Sequence, residues 1–452
     1  MSVDPLLIPS ILYVFAALCY AAPDLPVEVD GPFSVHVGPG TLEVGGRPVA
    51  VSEAVSVAID PPTWVEVRDE RYDALPVFNP QGPPWRKAIP LRGVEAQECA
   101  ATGRLDPASV RVKAAAGNGG AVFELGKDYE LDGFWGNVGR LEGGAIGEAQ
   151  PVFVDYRYSP SRIDSIVVDA SGEVSVVRGI PHVSMPRQPE LPEGVGRAAN
   201  VWVAGASTEL TGDSLFPILA DEYPEPEPIT PSEAERLLPK TMAKLRGGET
   251  LHVLAWGDSV TVGTYVPDPA TQMWQCQFVN RLRQRFPKAN IELTTVAWGG
   301  RNTDSFLAEP PGSEFNYQEQ VLGRKPDLIV SEFVNDAGFD PPTVEQRYSR
   351  FLGDFQAIGA EWAILTPHYV RPDWMGLTKE RDCDDDPRPY VAGLRQFAAK
   401  HGVALADASK RWGHLWRQGI PYTTLLMNNI NHPDERGMKL FADALMELFP
   451  AE

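Results

Sequence analysis

Five short apolar segments alternate with amphipathic helices from residue 251 to the C-terminus, and this alternation constrains the fold more than any other feature. The predicted strands lie at 251–256, 291–297, 327–333, 361–366 and 403–407. The first helix carries apolar residues at four-residue spacing, namely Trp274, Phe278, Leu282 and Phe286. Strands joined by helical crossovers run parallel and are covered on both faces. Residues 250–452 are therefore predicted to form a three-layer α/β domain.

Residues 25–210 have a different pattern, which predicts an all-β region. Phe33, Val35 and Val37 alternate with polar or small residues before a Gly-Pro-Gly turn, and later segments repeat this alternation. Two valine-rich segments flank Asp169-Ala170-Ser171-Gly172, which indicates a hairpin. Many short strands with Gly and Pro turns favour either a β-sandwich-like domain or two small β modules.

A linker with a helix, residues 211–249, is predicted between the two regions. It contains the Pro- and Glu-rich stretch 221–228, which is typical of a stiff spacer. Thr230-Pro231-Ser232-Glu233 has the form of a capping box with proline at the first helical position, and predicts one helix running to Leu245. With 452 residues, the chain is long enough for this division into several domains.

The charge and the cysteines exclude several classes of protein. The 40 Lys and Arg against 61 Asp and Glu give a formal charge of −21, which disfavours nucleic acid and anionic membranes as partners. The cysteines, Cys19, Cys99, Cys276 and Cys383, are too few for a disulfide scaffold, and no two have zinc-ligand spacing. We therefore expect neither a disulfide scaffold nor a cysteine zinc site, and the sequence leaves the oligomeric state open.

The N-terminal residues 1–22 have some features of a signal peptide. A largely apolar stretch from Leu6 ends in small residues at Ala21-Ala22, but Asp4 lies where a positive charge is typical, and no Lys or Arg precedes Arg47. The stretch is short for a transmembrane helix, so no integral membrane span is expected. The sequence therefore leaves open whether the protein is secreted, periplasmic or cytoplasmic.

Ser259 follows the first predicted strand of the α/β region, in Gly257-Asp258-Ser259. Catalytic groups of open α/β sheets gather at the carboxyl ends of the strands. A serine at a strand-to-helix turn is exposed and lies beside backbone N–H groups that can stabilise an oxyanion, although a helix-capping serine would have the same position. The Gly-x-Ser-x-Gly elbow of another hydrolase class is absent, because Thr261 occupies its last position.

Three further blocks follow in order, and together the four resemble the SGNH (GDSL-type) hydrolase family. They are Gly299-Gly300-Arg301-Asn302-Thr303, Val334-Asn335-Asp336 and Asn431-His432-Pro433. The resemblance covers roughly the last two hundred residues and implies a flavodoxin-like fold. It implies Ser259 as nucleophile and His432 as base, with the Ser259 and Gly300 N–H groups and the Asn335 amide as oxyanion donors. Gly299 stays an alternative to Gly300, and Phe333 replaces a glycine that the family usually has.

Asn429 marks a second departure from the family pattern. The family usually has an aspartate three residues before the histidine, to orient the imidazole and to stabilise its charged form. We expect Asn429, or a backbone carbonyl, to orient His432. Carboxylates from elsewhere in the chain stay open as alternatives, namely Asp407, Asp434 and Glu332. The remaining explanation for the missing aspartate is an active site that has lost some or all of its activity.

The resemblance implies a serine esterase that acts through an acyl-enzyme and requires no metal and no organic cofactor. Its expected substrate is a small-molecule or polysaccharide acyl ester, with acetyl esters of carbohydrate favoured by the likeness of the Gly300-Arg301 block to polysaccharide acetylesterases. The alternatives are a catalytically degenerate glycan-binding protein and an acyltransferase. Exposed tryptophans of the β region would supply sugar-stacking surfaces, whereas buried ones would only pack in its core; the candidates are Trp64, Trp85, Trp135 and Trp202.

Overall fold

The structure, a computed structural model, describes residues 25–450. The predicted signal segment, residues 1–22, lies outside this range. The described chain contains an antiparallel β region followed by a parallel α/β domain. Within residues 25–450, no helix combines the length and the apolar character needed to cross a membrane.

Two separate hydrophobic cores divide the β region into two modules. The strands, in chain order, are β1 (Val27–Gly31), β2 (Ser34–Val37), β3 (Gly40–Val44), β4 (Arg47–Val51), β5 (Val55–Ala58), β6 (Val65–Tyr72), β7 (Ile89–Pro90), β8 (Arg111–Lys113), β9 (Tyr129–Asp132), β10 (Asn137–Arg140), β11 (Val152–Tyr158), β12 (Arg162–Asp169), β13 (Val174–Val177), β14 (Val195–Val203) and β15 (Leu215–Pro217).

The first module, here called the outer module, uses both ends of the β region. Its sheets are β1-β2-β5, the ribbon β3-β4, and β13-β12-β14-β15. Alternate residues such as Val35, Val37, Ile166 and Val201 fill the core between them. Strand β15 pairs with β14 and extends this module beyond the predicted boundary at residue 210.

The second module, residues 65–158, is inserted between the two halves of the outer module and is here called the inserted module. Its sheets, β7-β10-β9 and β6-β11-β8, enclose a core that includes Val94, Val112 and Val138. The segment between β7 and β8 contains no long strand, and residues 95–100 form a turn there in which Ala96 N–H donates to the Cys99 carbonyl at 2.8 Å.

The predicted linker helix is divided into two, α1 (Glu233–Leu237) and α2 (Pro239–Gly247). Proline disfavours helical backbone at the preceding residue, and Leu238 accordingly leaves the helical region. The capping box also lies two residues later than the sequence predicted. Ser232 accepts from Glu235 N–H at 3.2 Å, and the Glu235 carboxylate accepts from Ser232 N–H at 2.6 Å.

The C-terminal domain has a five-stranded parallel sheet in the order β17-β16-β18-β19-β20. The strands are β16 (Thr250–Gly257), β17 (Asn290–Ala297), β18 (Leu328–Glu332), β19 (Glu361–Leu365) and β20 (Ala404–Ala406). The helices are α3 (Ser259–Val262), α4 (Pro269–Gln272), α5 (Trp274–Arg285), α6 (Thr303–Ala308), α7 (Pro341–Ile358), α8 (Pro389–His401), α9 (Ala408–His414) and α10 (Glu435–Glu447). The predicted flavodoxin-like architecture is confirmed.

Each face of this sheet has its own core, because successive residues of a strand point to opposite faces. Val253 and Ala255 of β16 face one core, while Leu254 and Trp256 face the other. The chain order reverses between β16 and β18, where flavodoxin-like sheets form their ligand crevice. Residues that follow these two strands are therefore placed at that crevice.

The outer module packs directly against the C-terminal domain. Phe216 of β15 belongs to the core of the α/β domain. The Asn200 amide donates to the Gly419 carbonyl at 2.8 Å, and Leu219 N–H donates to the Arg417 carbonyl at 2.7 Å. These contacts fix the β region over the loops at the carboxyl end of the sheet.

Candidate active site

Ser259 is the first residue of α3, directly after β16. The Asp258 carboxylate accepts from Val260 N–H at 3.1 Å and so caps the helix. A side chain at Gly257 would come within 2.1 Å of Thr261 Oγ1 and 2.5 Å of the Glu332 carbonyl, so the turn requires glycine there. The Ser259 side chain is partly exposed at the crevice.

His432 lies in the loop before α10, with its Nε2 atom 3.1 Å from Ser259 Oγ. The loop is fixed at its base, where Met427 N–H donates to the His432 carbonyl at 2.7 Å. The Asn428 side-chain oxygen also accepts from His432 N–H at 3.0 Å. Tyr265 stacks on the imidazole, with a centroid distance of 4.4 Å and an angle of 2° between the rings. The imidazole is thus held at hydrogen-bond distance from the Ser259 hydroxyl.

The environment of His432 keeps its imidazole neutral. The residue is 4% exposed. Burial lowers the pKa of His432 to about 4, and the Glu98 carboxylate opposes this shift. A neutral imidazole has one nitrogen free to accept a proton, so His432 can act as a base throughout the neutral pH range.

The partner of His432 Nδ1 comes from the inserted module. Gln97 Oε1 lies 2.6 Å from Nδ1, and Glu98 Oε2 lies 3.6 Å from the same atom. An acceptor at Nδ1 places the imidazole proton there and leaves the Nε2 lone pair facing Ser259. Nothing in the sequence connects Gln97 with His432, because the two residues are 335 positions apart and belong to different domains.

Asn429, which the sequence offered together with a backbone carbonyl to orient His432, faces another partner in the structure. Its amide donates to the Ser184 carbonyl at 3.3 Å, and its buried side-chain oxygen has no hydrogen-bond partner within residues 25–450. Asn429 has a φ of +53°, a left-handed conformation that asparagine tolerates. The side chain at this position is consequently directed to the outer module and not to the imidazole.

The other predicted carboxylate partners also lie elsewhere. Asp407 pairs with Arg395 at 2.8 Å, and Asp434 pairs with Arg436 at 2.6 Å while it caps α10. Glu332 is fully buried under the site, and Thr261 Oγ1 donates to it at 3.4 Å. Each of these carboxylates therefore has a structural partner of its own.

Gly300 and its neighbours form a turn beside Ser259. Arg301 N–H donates to the Trp298 carbonyl at 3.3 Å, which makes Gly299 and Gly300 the central residues of the turn. Gly300 has a φ of +70°, as the third residue of a type II turn requires. A Cβ atom at Gly299 would lie 3.8 Å from that of Ser259, so the turn is close to this serine. The backbone N–H groups of this turn therefore lie beside Ser259.

Asn335 follows β18 and is held in place by Asp258. The Asp258 carboxylate accepts from both the backbone N–H and the side-chain amide of Asn335, at 2.9 and 3.0 Å. The second amide hydrogen of Asn335 faces the Arg301 carbonyl only at 3.4 Å. The structure thus brings Ser259, Gly300, Asn335 and His432 to one crevice and does not bring Asn429 to the imidazole.

Buried carboxyl groups support this crevice from below. Burial raises the pKa of Asp258 to about 7 and that of Glu332 well above its usual range. Burial likewise raises the pKa of Asp336 to about 7, and Thr303 donates to this carboxyl through its N–H and its hydroxyl. The aspartates of Gly-Asp-Ser and Asn-Asp therefore join the loops after β16, β17 and β18 into one framework.

Within residues 25–450, no group of three or more His, Cys, Asp or Glu side chains is arranged to hold a metal ion. Cys99, Cys276 and Cys383 are free thiols.

Residues 255–440 match the model of the GDSL-like lipase/acylhydrolase family. These residues therefore form a GDSL-like lipase/acylhydrolase domain, which confirms the resemblance seen in the sequence. No curated protein matches the chain.

Several solved structures are similar to this domain at low sequence identity. A two-domain esterase (CEX) active on acetylated mannans has a TM-score of 0.38 and 16% identity over 47% of this chain and 51% of its own. A catalytic mutant of Axe2, an acetylxylan esterase from Geobacillus stearothermophilus, has a TM-score of 0.35 and 16% identity over 45% of this chain and 95% of its own. A putative lipolytic protein of the G-D-S-L family from Desulfitobacterium hafniense DCB-2 has a TM-score of 0.30 and 15% identity over 44% of this chain and 99% of its own. The match spans about half the length of CEX and nearly all of the other two.

Proposed function

We propose that this protein is a serine esterase that removes small acyl groups, acetyl above all, from carbohydrate through an acyl-enzyme. The observation that carries the proposal is the 3.1 Å contact between Ser259 Oγ and the neutral, buried His432 Nε2. A serine hydroxyl becomes nucleophilic when a base at hydrogen-bond distance removes its proton. The match of residues 255–440 to an acylhydrolase family supports ester substrates.

In the proposed reaction, Ser259 Oγ attacks the ester carbonyl while His432 Nε2 takes its proton. The N–H groups of Ser259 and Gly300 and the amide of Asn335 stabilise the oxyanion of the tetrahedral intermediate. His432 then returns the proton to the leaving alcohol, and the acyl group stays on Ser259. Water attacks this acyl-enzyme with His432 again as base, which releases the acid and restores the serine.

The carbohydrate part of the proposal rests on an aromatic surface beside the His432 loop. Trp374, 45% exposed, packs edge-on against Trp85 of the inserted module with a centroid distance of 5.2 Å. Trp85 in turn packs on a cluster that includes Ile430, two residues before His432. An exposed tryptophan at this seam offers a flat face to a sugar ring.

The other tryptophans considered as sugar platforms are less suitable. Trp135 is 4% exposed and lies under Arg371, whose guanidinium is 4.8 Å from its ring. Trp202 packs against Phe216 in the domain interface. Trp64 is 38% exposed, but Arg157 lies over its ring at 4.8 Å.

We expect Trp374→Ala to raise KM for an acetylated oligosaccharide about fivefold, since an aromatic contact contributes about 1 kcal/mol. The effect on a small aryl acetate, which has no sugar ring to stack on the tryptophan, is expected to be smaller. Steady-state kinetics on both substrates measure this, with Trp64→Ala as the matched control. Equal effects of the two variants on the oligosaccharide would argue against a sugar platform at Trp374.

The pH dependence follows from the buried imidazole. Only neutral His432 accepts the serine proton, so kcat/KM is expected to stay level as the pH falls through 6.5, the ordinary histidine pKa, and to drop near the lowered pKa of about 4. The same shift reduces stability over this interval, because the unfolded chain binds a proton that the folded chain does not. Initial rates must therefore be measured alongside circular dichroism at each pH. An acid limb centred at or above 6.5 would contradict the proposed environment of the base.

The proposal is tested first with p-nitrophenyl acetate and a fluorophosphonate probe, on the wild type and on Ser259→Ala. Serine-dependent turnover and labelling are expected, and acetylated polysaccharides then identify the alcohol. A folded wild-type protein with neither turnover nor labelling would overturn the esterase proposal.

A further inference from the structure

The turn at residues 95–100 carries the inserted module into contact with the loop of the catalytic histidine. Gln97 N–H donates to the Met427 carbonyl at 3.4 Å, and the Cys99 thiol donates to the Asn428 carbonyl at 3.0 Å. Cys99 also packs with Trp135 and Ile430 in a small hydrophobic cluster shared by the two domains. These contacts hold the turn at residues 95–100 against the loop that carries His432.

We propose that Gln97 is the positioning residue of His432 and that Glu98 is the charge partner of its imidazolium, so that the active site is completed by the inserted module. This inference rests on the proposed function, since it assigns the orientation of its base. Gln97 Oε1 accepts from Nδ1–H at 2.6 Å, which sets both the tautomer and the ring plane. Tyr265 supports the same ring plane from the face of the imidazole.

The left-handed backbone at Glu98 explains how two consecutive side chains reach one nitrogen. In an extended chain, the side chains of neighbouring residues point to opposite sides. Glu98 has a φ of +64°, a conformation that is uncommon for residues other than glycine. This bend lets the Glu98 carboxylate approach His432 Nδ1 to 3.6 Å beside the Gln97 oxygen.

The division of roles between the two residues has an electrostatic consequence. An amide oxygen fixes the tautomer but carries no net charge, so it stabilises the imidazolium less than a carboxylate at the same place would. The Glu98 side chain is 63% exposed, so water screens its charge. The base is therefore well oriented and stays neutral until a proton arrives from the serine.

The test compares Gln97→Ala, Gln97→Glu and Glu98→Gln with Glu95→Gln, a neutralised carboxylate in the same turn whose side chain is exposed. Gln97→Ala is expected to lower kcat by roughly a hundredfold, because a correctly placed base contributes about two or more powers of ten. Gln97→Glu is expected to keep most of the turnover and to move the acid limb of kcat/KM to higher pH. Glu98→Gln is expected to move the acid limb of kcat/KM to lower pH, whereas Glu95→Gln is expected to leave this limb unchanged.

A purely structural role for Gln97 would give a different pattern. Gln97→Ala and Gln97→Glu would then lose kcat together, in proportion to a fall in Tm, with no movement of the acid limb. That result, or wild-type kcat in Gln97→Ala, would overturn the proposal.

NMR titration of the His432 imidazole separates this inference from the esterase proposal itself. The Gln97→Glu substitution is expected to raise the pKa of His432 whether or not the protein hydrolyses an ester. If the wild type fails to react with the fluorophosphonate probe but the histidine titration shifts, the contact stands and the esterase proposal fails. A titration unchanged by Gln97→Glu would refute the positioning role.

Discussion

Ser259→Ala is expected to abolish ester hydrolysis and labelling by a fluorophosphonate probe. The substitution removes the only atom that can form the proposed acyl-enzyme, while His432, the glycine turn and Asn335 stay in place. The expected loss of kcat is at least roughly a thousandfold, because the oxyanion donors and substrate binding alone retain only a small part of the catalysis. Hydrolysis of p-nitrophenyl acetate and mass-spectrometric detection of the labelled serine measure the two effects.

Folding of the Ser259→Ala variant is not expected to suffer. Ser259 is the first residue of α3, and the Asp258 carboxylate, not the serine, caps the helix by accepting from Val260 N–H at 3.1 Å. Alanine is a good helix former, so Tm should change little. Ser171→Ala, at an exposed hairpin turn of the outer module, is the matched control and should retain full activity. Turnover in Ser259→Ala equal to that of the wild type would refute the mechanism.

The strands and the loops that follow them could be predicted from the sequence because both are encoded locally. The predicted segment 251–256 corresponds to β16 (Thr250–Gly257), and the segment 361–366 corresponds to β19 (Glu361–Leu365). Once parallel strands were expected, residues directly after them had to gather at one edge. This is why Ser259 and Asn335 could be placed at a common crevice without knowledge of side-chain contacts.

The orientation of His432 could not be predicted in this way. The sequence shows that Asn429 lies three residues before the histidine, but not that a φ of +53° directs its side chain towards Ser184. The residue that faces Nδ1 belongs to a module inserted in another domain, and only the packing of that module brings Gln97 to the imidazole. Long-range contacts of this kind leave no periodic signal in one sequence.

The arrangement of the β region could also be predicted only in part from the sequence. Alternation indicated strands, and two small modules were one of the two architectures expected. Nothing local shows that residues 65–158 are inserted between two halves of the outer module, since this depends on the core that strands β1–β5 share with β12–β15 and on the separate core of the inserted module. The insertion brings the turn at residues 95–100 into contact with His432 and its loop.

Asn335→Ala is expected to lower kcat by about two to three powers of ten, as loss of one oxyanion donor does in other serine hydrolases. The amide is held by Asp258 at 3.0 Å, and its second hydrogen makes only the 3.4 Å contact with the Arg301 carbonyl. That hydrogen is available to an oxyanion that forms after attack by Ser259. Because the interaction strengthens only in the transition state, kcat should fall while KM stays nearly constant.

The matched control for this substitution is Asn280→Ala on α5, where the asparagine side chain accepts a hydrogen bond from Arg283 at 3.0 Å. It should leave kcat and KM unchanged. A fall in Tm is expected for Asn335→Ala, since Asp258 loses one of its two contacts with this residue, and kinetics are therefore measured well below the transition. A rise in KM with unchanged kcat would mean that Asn335 binds substrate and does not stabilise the oxyanion, and the donor set would then reduce to the backbone N–H groups of Ser259 and Gly300.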